Sequence, residues 1–155
     1  MIGVGERIDL NFEVKAVVAG ERWSGSFSEL VTGPTFVSVY MRNNTGSCDR
    51  QVQQLKEVAG ELAARGFDLI GVSRDTAGSH LKYCCKLELP FTLVSDPDYR
   101  FALAVDSLVE KKLYGRVYTG PTRSAYLVDG EGVVLGLVEK VDSANHAGQL
   151  RALLS

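Results

Sequence analysis

One stretch of the chain limits the choice of fold more than any other. Residues 35–41, Thr-Phe-Val-Ser-Val-Tyr-Met, are β-branched and aromatic, with apolar side chains at odd and even positions alike. A strand with that pattern is covered on both faces, as it is in a sheet that lies between helices. Residues 67–73 and 91–95 predict two further interior strands. We therefore expect an α/β protein with a buried central sheet.

Helical segments alternate with these strands. Residues 48–65 are rich in helix formers, and Gly66 follows as a stop. Their apolar stripe consists of Val52, Leu55, Ala59 and Leu62. The other predicted helices are residues 79–87, 99–104 and 143–154, and the other predicted strands are residues 11–18, 22–27, 124–128 and 133–138. Residues 108–119 are expected to be a loop that shapes access to the site.

This order of elements predicts a three-layer α/β sandwich with a mixed central sheet and flanking helices. At 155 residues the chain has the size of one ordinary domain, so we expect a single domain over residues 1–155.

Charge and hydropathy disfavour several classes of partner. The 17 Lys and Arg against 19 Asp and Glu give a formal net charge of −2 and a pI near 5.7. Such a chain offers no basic surface to nucleic acid or to an anionic membrane. No apolar run approaches the roughly 18 residues that span a bilayer, and the N-terminus lacks a signal-peptide pattern. We expect a cytoplasmic protein.

The cysteines are the best candidates for chemistry. There are three, an odd number that suits no disulfide framework in a reducing compartment. Cys48 falls in the first turn of a predicted helix, where unpaired N–H groups and the helix dipole favour a thiolate. A small buried side chain at a helix start is the other interpretation. Thr45 is either a helix N-cap or a hydroxyl aimed at the sulfur.

The residues around Cys48 resemble the active-site loop of the peroxiredoxins. That loop has the pattern Pro-x-x-x-Thr-x-x-Cys, which this chain matches at Thr45 and Cys48, with Met41 at the proline position. The wider chain, from about Gly5 to the last helix, is similar to the bacterioferritin co-migratory protein group, also called the Q-type peroxiredoxins. Further matching segments are residues 71–75, 79–82, 89–97, 110–116 and 123–129.

The resemblance implies a thioredoxin-like fold and a thioredoxin-dependent enzyme that reduces hydrogen peroxide and organic hydroperoxides. Cys48 would be the peroxidatic cysteine. Thr45 would hydrogen-bond the thiolate and the peroxide oxygens, and Arg123 would supply the cation that stabilises the developing charge. Met41 would shield the sulfur less rigidly than proline does. The resemblance further implies a monomer, and we expect no cofactor and no metal.

The resemblance also implies how the oxidised cysteine is recycled. A sulfenic acid needs a second thiol, and the position used by many Q-type members, five residues after Cys48, is Gln53 here. Another branch places the resolving cysteine in the following helix, which carries Cys84 and Cys85. Helical geometry admits either, and the resemblance favours Cys84. A thioredoxin-type dithiol protein would reduce the Cys48–Cys84 disulfide, and one of the two helices would unwind locally to form it.

Other functions would use some of the same residues. A peroxide-sensing redox relay with slow turnover would use the same cysteines. A disulfide oxidoreductase is disfavoured, because its Cys-x-x-Cys motif would need a cysteine at Gln51. A metal module could use His80 and Cys84, but closely paired zinc ligands are missing. We expect His80 to be exposed or capping, and His146 to lie on the surface. Without the resemblance, Arg123 would be a solubilising charge at a strand edge.

Overall fold

A computed structural model describes residues 1–154 of the chain. The strands are β1 (Glu13–Val18), β2 (Glu21–Ser26), β3 (Thr35–Val39), β4 (Asp68–Ser73), β5 (Thr92–Ser95), β6 (Leu108–Leu113), β7 (Arg116–Pro121), β8 (Ala125–Val128) and β9 (Val134–Val138). The helices are α1 (Gly46–Ala64), α2 (Ala77–Leu87), α3 (Arg100–Ala104) and α4 (His146–Ala152).

Seven of these strands form one mixed sheet, in the order β2-β1-β5-β4-β3-β8-β9. The central strands β3, β4 and β5 run parallel, and the strands outside them are antiparallel to their neighbours. Parallel neighbours need crossover connections, which α1 and α2 supply. The predicted mixed sheet with flanking helices is confirmed.

Strand β3 is buried along its whole length, as its sequence predicts. Phe36 packs on one face of the sheet, in a cluster with residues of α1, α2 and α4. Val37 packs on the other face, in a cluster that includes Phe27 and Phe101, whose rings stack 5.3 Å apart. The longer helices therefore cover one face, while α3 and the 3-10 turn Phe27–Leu30 cover the other. These are the three predicted layers.

Strands β6 and β7 form a separate two-stranded hairpin where a loop was predicted. Its turn consists of Tyr114 and Gly115, which both have positive φ (52° and 77°), as a tight two-residue hairpin turn requires. The prediction was wrong because the hairpin contributes little to the core. Four consecutive residues of β7 are exposed, so no buried face marks the strand in the sequence.

Three helices begin two or three residues away from the predicted start. Helix α1 begins at Gly46, two residues early, and α2 begins at Ala77, where the Thr76 hydroxyl accepts a hydrogen bond from the backbone N of Ser79 (3.1 Å). Helix α4 begins at His146, three residues late. In the part of the chain that the structure describes, no helix is long and apolar enough to cross a membrane.

Two glycines with opposite surroundings test this packing. A Cβ at Gly71, in the central strand β4, would lie 2.9 Å from Leu93 Cδ2 and 3.4 Å from a ring carbon of Tyr40. We expect Gly71→Ala to lower the free energy of unfolding by about 1–3 kcal/mol, because both neighbours are fully buried. Gly60→Ala, exposed on α1 with no atom within 4 Å, should raise it by about 0.5–1 kcal/mol.

Urea unfolding of both variants measures the two effects. Equal stability of the Gly71→Ala variant and the wild type would contradict the tight contact between β4 and its neighbours.

Candidate active site

The ends of two neighbouring strands bring the predicted site residues together. Strand β3 leads through residues 40–45 into α1, which carries Cys48. Strand β8 is antiparallel to β3, so the residues just before β8 lie beside the end of β3. The Val39 backbone N donates to the Ser124 carbonyl across this pair (2.8 Å). Arg123 therefore lies beside the first turn of α1, although 75 residues of sequence separate it from Cys48.

Cys48 is the third residue of α1 and is only 3% exposed. It belongs to the same buried cluster as Tyr83 and Cys84 of α2. The Tyr83 hydroxyl donates to the carboxylate of Asp49, the residue next to Cys48, and this bond ties α2 to the start of α1. The sulfur thus lies in a covered position at a helix N-terminus, where backbone dipoles favour negative charge.

Thr45 is the N-cap of α1, with extended backbone angles, but its side chain does not cap the helix. Its hydroxyl donates to the Arg42 carbonyl oxygen (2.9 Å) and so closes the loop that leads to Cys48. The hydrogen bond from Thr45 to the thiolate and the peroxide stays a prediction, and it requires the hydroxyl to turn from Arg42.

Arg123 makes four hydrogen bonds to the start of α1. Its Nη1 donates to Ser47 Oγ (2.9 Å), and its Nη2 donates to the Ser47 carbonyl (3.0 Å). Nε and Nη2 both donate to Gln51 Oε1, at 3.0 and 2.8 Å. The alternative interpretation of Arg123 as a solubilising charge is wrong. Of five guanidinium N–H groups, one on Nη1 remains without a partner within residues 1–154.

Lys111 is a second cation of the site, and it was not predicted from the sequence. It lies on the β6–β7 hairpin, and its Nζ donates to the Pro121 carbonyl (2.7 Å) and contacts Met41 Sδ (3.4 Å). Burial lowers the pKa of Lys111, the charge of Arg123 lowers it further, and Cys48 acts in the opposite direction. Residues 110–116 resemble the family in sequence, but the sequence alone did not predict that they form a hairpin over the site.

The loop before α1 is held by a second buried network. The Tyr40 hydroxyl donates to Asn43 Oδ1 (2.6 Å), and Asn43 Nδ2 lies 3.2 Å from His80 Nδ1. The other ring nitrogen of His80 lies 3.1 Å from the Val94 carbonyl. His80 is fully buried, so its expected exposed or capping position is wrong. A single histidine in a helical sequence pattern does not reveal hydrogen-bond partners that lie in other segments of the chain.

His146 is also fully buried, and its expected surface position is wrong. Its ring nitrogens lie 2.8 Å from Ser38 Oγ and 2.8 Å from Gln149 Oε1. Both ring nitrogens of His80 are likewise engaged, which leaves neither histidine a nitrogen for a metal ion. Within residues 1–154 no three His, Cys, Asp or Glu side chains are grouped as a metal site would need.

The two cysteines of α2 differ in their surroundings. Cys84 is buried in the cluster that contains Cys48, and its thiol donates to the Leu89 carbonyl (3.5 Å). Burial raises the pKa of the Cys84 thiol, and the neighbouring Cys85 raises it further. Cys85 is exposed. All three cysteines are free thiols, so the structure is that of the reduced protein.

Comparison with known proteins identifies the family. The model of the AhpC/TSA family matches residues 6–136. The chain belongs to this family. Within it, the chain is similar to peroxiredoxin Bcp of Xanthomonas campestris pv. campestris, at 35% identity over 115 residues that cover 74% of this chain and 72% of the relative. Peroxiredoxin Bcp of Bacillus subtilis is 31% identical over 110 residues, 71% and 70% of the two chains.

Solved structures agree with these relatives. Xanthomonas campestris peroxiredoxin Q matches with a TM-score of 0.82 and 28% identity over 94% of this chain and 90% of its own. A structure of the bacterioferritin comigratory protein of the same species matches with a TM-score of 0.85 and 25% identity over 98% of both chains. The thioredoxin-like fold and the predicted Bcp or peroxiredoxin Q group are confirmed. The protein is an enzyme of the peroxiredoxin class, a thiol peroxidase.

The two buried histidines predict how stability depends on pH. Burial lowers the pKa of both rings, whereas in the unfolded chain each titrates near 6.5. Below about pH 6.5 the unfolded state therefore binds protons before the folded state does. We therefore expect the free energy of unfolding to decrease as the pH is lowered below about 6.5, by up to about 1.4 kcal/mol per pH unit for each histidine. The decrease ends when the rings of the folded protein become protonated. Above about pH 7.5 neither ring contributes to the pH dependence.

Urea unfolding at about pH 7.5, 6.5 and 5.5 measures this slope. His146→Gln should roughly halve it, because one titrating group is removed. A wild-type slope near zero between about pH 6.5 and 5.5 would contradict neutral burial of the histidines.

Proposed function

We propose that this protein is an atypical 2-Cys peroxiredoxin, with Cys48 as the peroxidatic cysteine and Cys84 as the resolving cysteine in the same chain. The observation that carries the proposal is the buried Cys48 in the first turn of α1, with the Arg123 guanidinium bound to that turn. The substrates are hydrogen peroxide and organic hydroperoxides. Alkyl peroxide reduction activity is described for the Xanthomonas campestris bacterioferritin comigratory protein, which supports the second class of substrate.

In the first step the Cys48 thiolate attacks one peroxide oxygen. The O–O bond breaks, the sulfur is oxidised to the sulfenic acid, and the second oxygen leaves with a proton as water or alcohol. Charge moves from sulfur to the leaving oxygen during this step, so fixed donors beside the sulfur lower the barrier. The free N–H of Arg123 Nη1, the Lys111 ammonium and a reoriented Thr45 hydroxyl are the donors for this charge.

In the second step the Cys84 sulfur attacks the sulfenic acid, an S–S bond forms and water leaves. Cys84 is preferred over Cys85 because Cys84 is buried in the cluster that contains Cys48, whereas Cys85 faces solvent. Both sulfurs start on separate intact helices, so the backbone has to move before a disulfide with normal geometry can form.

The last turn of α2 is the segment that we expect to unwind. Cys84 lies one turn before its end, and the C-cap Glu88 has a left-handed conformation (φ 53°), which a residue other than glycine adopts at an energetic cost. The turn is held by Lys56, whose Nζ donates to the Leu87 carbonyl (2.7 Å), and by the bond from Lys86 Nζ to Asn44 Oδ1 (2.8 Å). Unwinding breaks these exposed contacts and leaves the core of α2 in place.

A thioredoxin-type dithiol protein then reduces the Cys48–Cys84 disulfide by exchange. The proposal includes a single-domain monomer in the cytoplasm, because an intramolecular disulfide needs no second subunit and its recycling needs a reducing compartment.

Cysteine variants test the two roles in steady-state turnover with a peroxide and a thioredoxin system. Cys48→Ser should abolish turnover. Cys84→Ser should consume about one equivalent of peroxide and then stop, because the first step needs only Cys48. Cys85→Ser is the matched control and should retain turnover. Turnover by the Cys48→Ser variant would contradict the proposal, and loss of turnover in Cys85→Ser would move the resolving role to that residue.

Amide hydrogen exchange tests the unwinding. In the disulfide form, the amides of the last turn of α2 should exchange at least about tenfold faster than in the reduced protein, because their helical hydrogen bonds open. Amides in the middle of α1 should keep their protection. Equal exchange of α2 in both forms would show that the disulfide forms without this conformational change.

A further inference from the structure

A continuous series of hydrogen bonds, buried in its middle and part-buried at its two ends, leads from Arg123 to helix α4. Arg123 donates twice to Gln51 Oε1, at 3.0 and 2.8 Å, and Gln51 Nε2 donates to Ser38 Oγ at 2.9 Å. Ser38 Oγ lies 2.8 Å from His146 Nε2, and His146 Nδ1 lies 2.8 Å from Gln149 Oε1. Gln51, Ser38 and His146 are each 0% exposed. We call this series the Arg123–His146 relay.

The direction of every bond in the relay follows from its two ends. Gln149 Oε1 can only accept, so His146 carries its proton on Nδ1 and its Nε2 is an acceptor. The Ser38 hydroxyl therefore donates to His146, and its lone pairs face the amide of Gln51. Arg123 can only donate, so Gln51 has to present Oε1 to it and Nε2 to Ser38. Burial lowers the pKa of His146, which keeps the ring in this neutral form.

No member of the relay can change its partner without cost. Gln51 makes all four of its possible hydrogen bonds, the fourth from Nε2 to the Val39 carbonyl (3.0 Å). Among the residues that the structure describes, no buried side-chain nitrogen or oxygen lacks a partner. A buried polar group that loses its partner destabilises its arrangement, because water cannot replace the bond.

We propose that His146 is a positioning residue of the peroxidase reaction, which orients the Arg123 guanidinium at the first turn of α1 through Ser38 and Gln51. This inference rests on the proposed role of Arg123 beside Cys48. With an acceptor at Nε2, His146 directs the Ser38 hydroxyl away from Gln51. Without that acceptor, the Ser38 hydroxyl is free to turn its hydrogen toward Gln51 Nε2, which weakens the bond that holds the Gln51 amide with Oε1 toward Arg123.

Two substitutions of His146 separate the relay from simple packing of α4. In His146→Asn, the side-chain NH₂ takes the place of Nδ1–H and keeps the bond to Gln149, but no acceptor reaches Ser38. In His146→Gln, the longer side chain places its carbonyl oxygen near the position of Nε2 and accepts from Ser38. A role in the relay therefore predicts that His146→Asn reduces peroxide more slowly than the wild type and that His146→Gln recovers most of the rate. A role in packing alone does not predict this order.

The experiment measures the second-order rate constant for hydrogen peroxide and the pH at which the Cys48 thiolate forms, followed by thiolate absorbance in a Cys84→Ser, Cys85→Ser background. We expect His146→Asn to slow peroxide reduction about tenfold and to shift thiolate formation to higher pH, because a displaced guanidinium stabilises the charge less. His146→Gln should recover most of the rate. Ser38→Ala removes the acceptor of Gln51 Nε2 and so loosens the same amide. It should slow peroxide reduction in the same direction as His146→Asn, and it tests the relay independently if His146→Asn folds poorly.

Controls distinguish the possible failures. Ala147→Gly weakens α4 next to His146 but removes none of the hydrogen bonds of the relay, so it should lower the melting temperature and leave thiolate formation unchanged. The double variant Ser38→Ala, His146→Asn should reduce peroxide no more slowly than the slower single variant, because both substitutions interrupt the same series of hydrogen bonds. Wild-type thiolate formation in both His146→Asn and Ser38→Ala, or additive losses in the double variant, would overturn the inference. Turnover by Cys48→Ser would instead overturn the proposed function, whatever the His146 variants do.

Discussion

The hydrogen bonds between Arg123 and the first turn of α1 connect the chemistry of this protein to its fold. A guanidinium that donates to the Ser47 carbonyl and hydroxyl is fixed beside Cys48 without a direct contact to an acid, so its charge is not cancelled by a carboxylate. Its only other partner among the described residues is the neutral oxygen of Gln51. The cation is thus held by neutral acceptors, as its proposed role of stabilising a thiolate and a peroxide requires.

The sheet topology explains how these groups meet. Because β8 is antiparallel to β3, the start of one strand lies beside the end of the other, and each carries one component of the site. The β6–β7 hairpin comes immediately before β8 and places Lys111 over the same point. The same end of the β3–β8 pair therefore positions Cys48, Arg123 and Lys111, although they come from three separate parts of the chain.

The sequence predicts the layers of the fold better than it predicts the partners of single polar residues. The strands could be found because burial on both faces leaves an apolar pattern. Thr45, Cys48 and Arg123 were singled out because the order of motifs resembles a known family, and their catalytic roles stay predictions. His80 and His146 were misplaced since their partners lie far away in sequence, at separations of up to 108 residues. A polar residue looks the same in sequence whether water or a remote side chain satisfies it. Lys111 was missed because an exposed hairpin leaves no core pattern.

The oxidised form of the enzyme decides between this mechanism and its competitors. Non-reducing peptide mapping by mass spectrometry after one equivalent of hydrogen peroxide identifies which sulfurs have reacted. A dominant Cys48–Cys84 crosslink, with Cys85 still free, is the predicted result. Sulfinic acid at Cys48 with free Cys84 would contradict the intramolecular resolving step, and an unchanged Cys48 would contradict its role as the peroxidatic residue.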